Sequence, residues 1–176
     1  MIDDDAGVAI AMQTIHLLQS LNIHPKRTIR FVAWMNEEFG VSGAATYLQE
    51  HSSELTHHIA ALESDLGCDH PTGLTFFGVP EVARYLMPVA NALAPIGASV
   101  LTRSDEITVD DIAGMVRLGV PGLAPSQDLR FYFNYHHSAA DTLDKVNARQ
   151  LNENAAVMAV TAYALADASE AIPRGK

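Results

Sequence analysis

The chain has 176 residues and a formal net charge of -10, from 11 basic and 21 acidic side chains. Its 48% hydrophobic content suffices for a core at a length that fits one domain over residues 1–176, and its few, scattered Lys and Arg exclude the clustered basic surface a nucleic-acid partner needs. The single cysteine, Cys68, cannot form an intrachain disulfide, no apolar run is of membrane-spanning length, and the N-terminus is acidic where a signal peptide is basic.

From Asp5 to Leu21 the apolar residues Val8, Ala11, Ile15, Leu18 and Leu21 follow a helical period, with Asp5 placed as the cap. Asn22 to Arg27, containing Pro25, breaks this helix. Thr28 to Met35 is nearly continuous in apolar, β-branched and aromatic residues, the pattern of a central parallel strand covered on both faces. Gly40 to Gly43 reads as a turn and Ala44 to Glu50 as a helix. Ile59 to Leu62 is a short strand running into Glu63-Ser64-Asp65, and Leu74 to Phe77 is another between Gly73 and Gly78. Pro80 opens a helix that Pro88 is expected to kink or end. Asp110 to Leu118 is a short helix, Val120 to Leu123 a strand interrupted by Pro121, and Asn152 to Ala166 a closing helix. This alternation is that of an α/β fold with a mostly parallel sheet.

Loops that leave the carboxyl ends of parallel strands share one edge, where ligands bind. Glu37, Glu38 and Asp65 occupy such exits, Asp3-Asp4-Asp5 stand before the first helix, and His136-His137 follow the aromatic stretch Phe131 to Tyr135. Taken singly each has an ordinary reading: a solvated loop, helix capping, a surface pair. Taken together, carboxylates and imidazoles suit zinc, with manganese or cobalt as alternatives, whereas calcium takes oxygen ligands alone. Adjacent glutamates project differently, so one can hold a metal while the other moves protons. Cys68 is read as a small packed residue.

The ordered set Asp3-Asp4-Asp5-Ala6-Gly7, Pro25 to Val32, Asn36-Glu37-Glu38-Phe39-Gly40, Glu63-Ser64-Asp65 and Tyr135 to Thr142 resembles the co-catalytic zinc exopeptidases. That group includes bacterial leucyl aminopeptidases and glutamate carboxypeptidases. The resemblance implies a three-layer αβα sandwich, hydrolysis of terminal peptide bonds in dipeptides or short peptides, two zinc ions and a possible homodimer, in relatives that are often secreted, periplasmic or lysosomal. It implies Asp3 as the carboxylate bridging the zincs, with the Asp3–Asp4 peptide often cis. Glu37 takes the place of the general base, and Glu38, Asp65 and His137 those of metal ligands, with His136 beside the site.

The family's upstream His-x-Asp motif does not occur here. The chain is therefore expected to be N-terminally truncated, without the first sheet strands. One zinc keeps Asp3, Glu38 and His137, while the second keeps only Asp3 and Asp65 and is weakened. The stretch around Asp110-Asp111 offers no tyrosine for an oxyanion. Two other readings are a catalytically impaired remnant or interaction domain of this fold, and a single-zinc acyltransferase of the glutaminyl-cyclase kind.

Overall fold

The computed structural model describes residues 1–175. A four-stranded sheet runs in the order β1-β4-β2-β3, from β1 (Ala61–Leu62), β2 (Pro71–Phe77), β3 (Val100–Arg103) and β4 (Gly122–Gln127). β1 pairs with β4 in parallel and β2 with β3 in parallel, while β2 and β4 are antiparallel. Side chains of a strand alternate between faces, and β2 shows this. Leu74 and Phe76 pack in clusters that contain Val89 and Val157, and Val82 and Leu165, whereas Phe77 packs with Val109, Ile112 and Met115. One face is thus covered by α3 (Ala83–Leu93) and α5 (Ala148–Asp167), against which α1 (Asp5–Ser20) lies. The other carries α4 (Ala113–Arg117), with α2 (Ser42–Glu50) against it. This is the three-layer α/β arrangement. No helix among the described residues is long and apolar enough to cross a membrane.

Several elements differ from the sequence reading. The N-cap of α1 is Asp4 rather than Asp5, with no side-chain capping bond. The buried stripe of α1 is Ala6, Gly7, Ile10, Thr14 and Leu18, about one position round from the predicted one. Ala11 and Ile15 instead line a cavity of about 800 Å3, and Leu21 is exposed. Small residues decide this rotation, because they let the helix backbone approach closely. A Cβ on Gly7 would lie 1.9 Å from the Ser64 carbonyl oxygen.

Pro88 does not end α3, which runs on to Leu93. It sits on the exposed side, while Val82, Leu86, Val89 and Leu93 are buried on the other. The strand expected at Val120 to Leu123 begins after Pro121 and continues to Gln127. β3 had no clear signal, since Val100, Thr102 and Arg103 are exposed on this edge strand.

The largest difference is Thr28 to Met35, which joins no ladder. Ile29, Val32 and Trp34 are half-buried, but Phe31 and Met35 are exposed, and the stretch lines the same 800 Å3 cavity as Ile59 to Leu62. Side chains hold it instead. Arg27 donates to the Ala168 carbonyl at 2.6 Å, closing the end of α5. Arg30 donates to the Tyr47 hydroxyl at 2.7 Å and pairs with Glu54 at 3.2 Å, while the Trp34 ring meets Tyr47 edge-on at 5.2 Å. Continuous apolarity signals a doubly covered strand only when strands flank it on both sides, and here none does.

Gly7→Ala should lower stability by about 1–3 kcal/mol, the range for overpacking, because the added methyl meets backbone that cannot rotate away. Thermal melting of the metal-free variant checks this; an unchanged midpoint would contradict the close approach.

Candidate metal centre

Asp3 is positioned by its own backbone. The Ile2 and Asp3 amides donate to the Asp141 carboxylate at 2.8 and 3.1 Å, and the Asp3–Asp4 peptide is cis. The Tyr132 hydroxyl donates to Asp3 Oδ1 at 2.9 Å, and the Asp3 side chain is only 6% exposed. On the other oxygen, Asp3 Oδ2 lies 3.4 Å from His137 Nε2 and 3.6 Å from His136 Nε2. His137 Nε2 is also 2.9 Å from the Glu38 carboxylate.

Both loops that bring these groups together have unusual backbones. His137 has φ +55° and Asn36, just before Glu37-Glu38, has φ +65°. Non-glycine residues persist there when surrounding contacts over-determine them, as at functional sites. Asn36 donates to the Ser42 hydroxyl at 2.9 Å, and the Gly43 amide reaches the Met35 carbonyl at 3.0 Å, which pins the turn. The turn at His137 stacks the two imidazoles at 3.7 Å.

Asp3, His136 and His137 form the one group among the described residues whose candidate ligand atoms all lie within 4.8 Å of one another. A tetrahedral zinc with bonds of about 2.0–2.2 Å holds its ligand atoms roughly 3.3–3.6 Å apart. The Asp3–His separations of 3.4 and 3.6 Å match that edge, and a carboxylate with two imidazoles is a zinc donor set. His136, expected beside the site, belongs to the trio. Glu38 meets it through His137 alone, and Asp65 lies outside it.

Around the trio stands an excess of acid. Burial raises Asp65 to about 6, with further repulsion from Asp3, Asp110 and Glu38. Glu37 is raised to about 7 by burial and by Asp65, Glu38, Asp110 and Asp111, and Asp4 to about 8 by burial, Asp65 and Asp3. Glu63 organises this ring. Its buried carboxylate accepts the Asp110 and Ile112 amides at 3.0 and 2.9 Å, tying the exit of β1 to the loop before α4. Burial lifts Glu63 itself to about 7 against those two bonds, and lifts Asp111 to about 6 with help from Asp65 and Asp110. Asp4 Oδ1 and Asp111 Oδ1 are buried without a partner. Such groups are costly unless a cation compensates them, so the ring fits a metal on its own chemistry.

Sequence reasoning did not assign roles to Tyr132, Glu63, Asp111 or Asp141. Asp110-Asp111, a second acidic pair just ahead of a short helix, is the signal that could have found one of them. The 800 Å3 cavity contains none of the proposed ligands. A smaller one of about 170 Å3 is lined by Asp65 and Glu63.

The profile of peptidase family M28 matches residues 1–162. The chain is 37% identical to carboxypeptidase Q of Mus musculus and 37% to that of Homo sapiens, in each case over 173 residues. Those alignments cover 98% of this chain and 36% of each relative, so the chain spans about a third of the length of the curated relatives it matches. Among solved structures, a peptidase M28 precursor from Shewanella amazonensis superposes with a TM-score of 0.91 at 34% identity, over 99% of this chain and 40% of that one. A zinc aminopeptidase from Bacillus subtilis shares the fold with a TM-score of 0.69 at 18% identity, over 99% of this chain and 45% of that one.

The five raised acids give a pH dependence of definite sign. Each has a folded pKa above its ordinary value, so between about pH 4 and 8 the folded chain binds more protons than the unfolded one, and its stability falls as pH rises. Asp141 is different: burial would raise it, but the Ile2 amide and its other donors pull it below the usual range, so it titrates under this window. The metal-free protein should melt higher at pH 5 than at pH 8, and added Zn2+ should narrow the gap. Equal melting at both values without metal would show that burial and mutual repulsion do not raise these acids.

Proposed function

The chain belongs to peptidase family M28, and on that premise we propose that residues 1–176 are a unit of a zinc-dependent exopeptidase catalytic domain that hydrolyses terminal peptide bonds of dipeptides or short peptides. The observation that carries the reading is that Asp3 Oδ2 stands 3.4 Å from His137 Nε2 and 3.6 Å from His136 Nε2, among acids that the protein leaves uncompensated. Asp3 and His137 would hold the metal, with Glu38 and Asp65 as further ligands. Zinc, when bound, supplies a Lewis acid that acidifies water and polarises the scissile carbonyl.

Glu37 is the base. It follows directly on the positive-φ turn at Asn36, stays half-buried where Glu38 is exposed, and is held near 7 by burial and its acidic neighbours. A carboxyl placed there can take a proton from the attacking water and return it to the leaving amine. His137 and Glu38 begin hydrogen-bonded to each other, so each restricts the other's rotamers before a metal arrives.

A second reading, a metal-holding domain without turnover, draws on one observation. The stretch leading to Glu37 and Glu38 is not hydrogen-bonded into the sheet, so the base is held by side-chain ties and by the backbone bonds of its own turn, not by a ladder.

Elemental analysis and a dipeptide hydrolysis assay on the purified chain test both. The peptidase reading expects bound zinc and turnover, with Glu37→Gln keeping its metal while turnover drops by roughly 10^2- to 10^4-fold. Bound zinc without turnover supports the second reading. No bound zinc under saturating conditions overturns the site itself.

A further inference from the structure

Tyr132 is not among the residues to which a role was assigned from sequence, yet its side chain touches three of the segments that carry the proposed ligands. The ring is 3% exposed and packs in the cluster of Ile2, Ala6, Ile10, Cys68, Ala155 and Met158. Its hydroxyl donates to Asp3 Oδ1 at 2.9 Å. A Cβ on Gly67 would stand 3.0 Å from the ring, so the turn after Asp65, where Gly67 has φ +82° and its amide bonds the Asp65 carbonyl at 3.0 Å, closes directly on it. The ring of His136 lies against it with centroids 5.1 Å apart, and the His136 amide bonds the Tyr132 carbonyl at 3.0 Å.

We infer that Tyr132 is the positioning residue of the metal centre: its hydroxyl fixes the rotation of the Asp3 carboxylate, engaging Oδ1 and presenting Oδ2 to the two histidines. The inference rests on the metal reading above. A carboxylate has two oxygens and several lone pairs, so one donor on Oδ1 leaves acceptor capacity there while setting the plane of the group. Asp141 fixes the backbone of Asp3 and Tyr132 fixes its side chain, and the two act from opposite ends of the loop that bears His136 and His137. A hydrogen-bonded partner of this kind holds the ligand in its binding orientation before the ion arrives, and its loss typically weakens metal affinity by about 10- to 100-fold.

Tyr132→Phe keeps the ring and removes only the hydroxyl. The test is a Co2+ titration followed by d–d absorption, with melting of the metal-free protein as the measure of fold. A loss of about 10- to 100-fold in Co2+ affinity with an altered band, beside a folded metal-free variant, is the expected result. Wild-type affinity and band shape in the variant would overturn the inference while leaving the metal reading intact. Failure of the unsubstituted chain to bind Co2+ would remove both.

Should Tyr132→Phe not fold, 3-fluorotyrosine incorporated into the chain replaces it. The Tyr132 fluorine signal, identified by phenylalanine at Tyr47, Tyr85, Tyr135 and Tyr163 in turn, should move on Zn2+ addition. A signal that stays in place as zinc saturates would overturn the inference.

Discussion

A buried carboxylate held from two directions is the constraint on which this molecule turns. Asp3 is almost wholly removed from water, its backbone is fastened by Asp141, and one of its oxygens is occupied by Tyr132. Those contacts link the start of α1 with the loop of residues 128–147, segments about 130 residues apart in the chain. Closing that separation aligns the histidine loop with the Glu37-Glu38 turn, because His137 then reaches Asp3 on one side and Glu38 on the other. The metal trio is thus a consequence of where Asp3 is fixed.

The acids around Asp3 are organised by a second buried carboxylate. Glu63 uses both oxygens on backbone amides and so pulls Asp110 and Asp111 toward Asp65. A fold selected for stability alone would gain from replacing such groups with apolar ones of similar volume. The oxygens Asp4 Oδ1 and Asp111 Oδ1 add to that cost, being buried without a hydrogen-bond partner.

Much of the fold was legible because local chemistry and tertiary demand agree. The closing helix, expected over Asn152 to Ala166, extends from Ala148 to Asp167 and starts where the Asn147 side chain accepts the Arg149 and Gln150 amides. Leu74 to Phe77 lies within β2, whose neighbours on both sides let a mostly apolar strand be buried. Where the two disagree, sequence reading failed. Pro88 breaks a local rule, and the buried face of α3 overrides it. The α1 stripe was misplaced because Gly7 and Thr14 do not score as core residues, although one permits backbone contact with Ser64 and the other turns its hydroxyl back to the Ile10 carbonyl. The run Thr28 to Met35 has a strand's composition without a ladder, since pairing is a property of neighbours.

By itself the sequence determined the family, the alternation of helices and strands, and the kinds of side chain at the strand exits, because these depend on periodicity and on ordered motifs. Only the tertiary structure decided which side chains meet. It brought His136 in with His137, left Glu38 attached through an imidazole, and assigned Tyr132, Asp141 and Glu63 the work of holding the centre. Those three act through hydrogen bonds across 47 to 139 positions of chain, and no local pattern encodes a contact at that range.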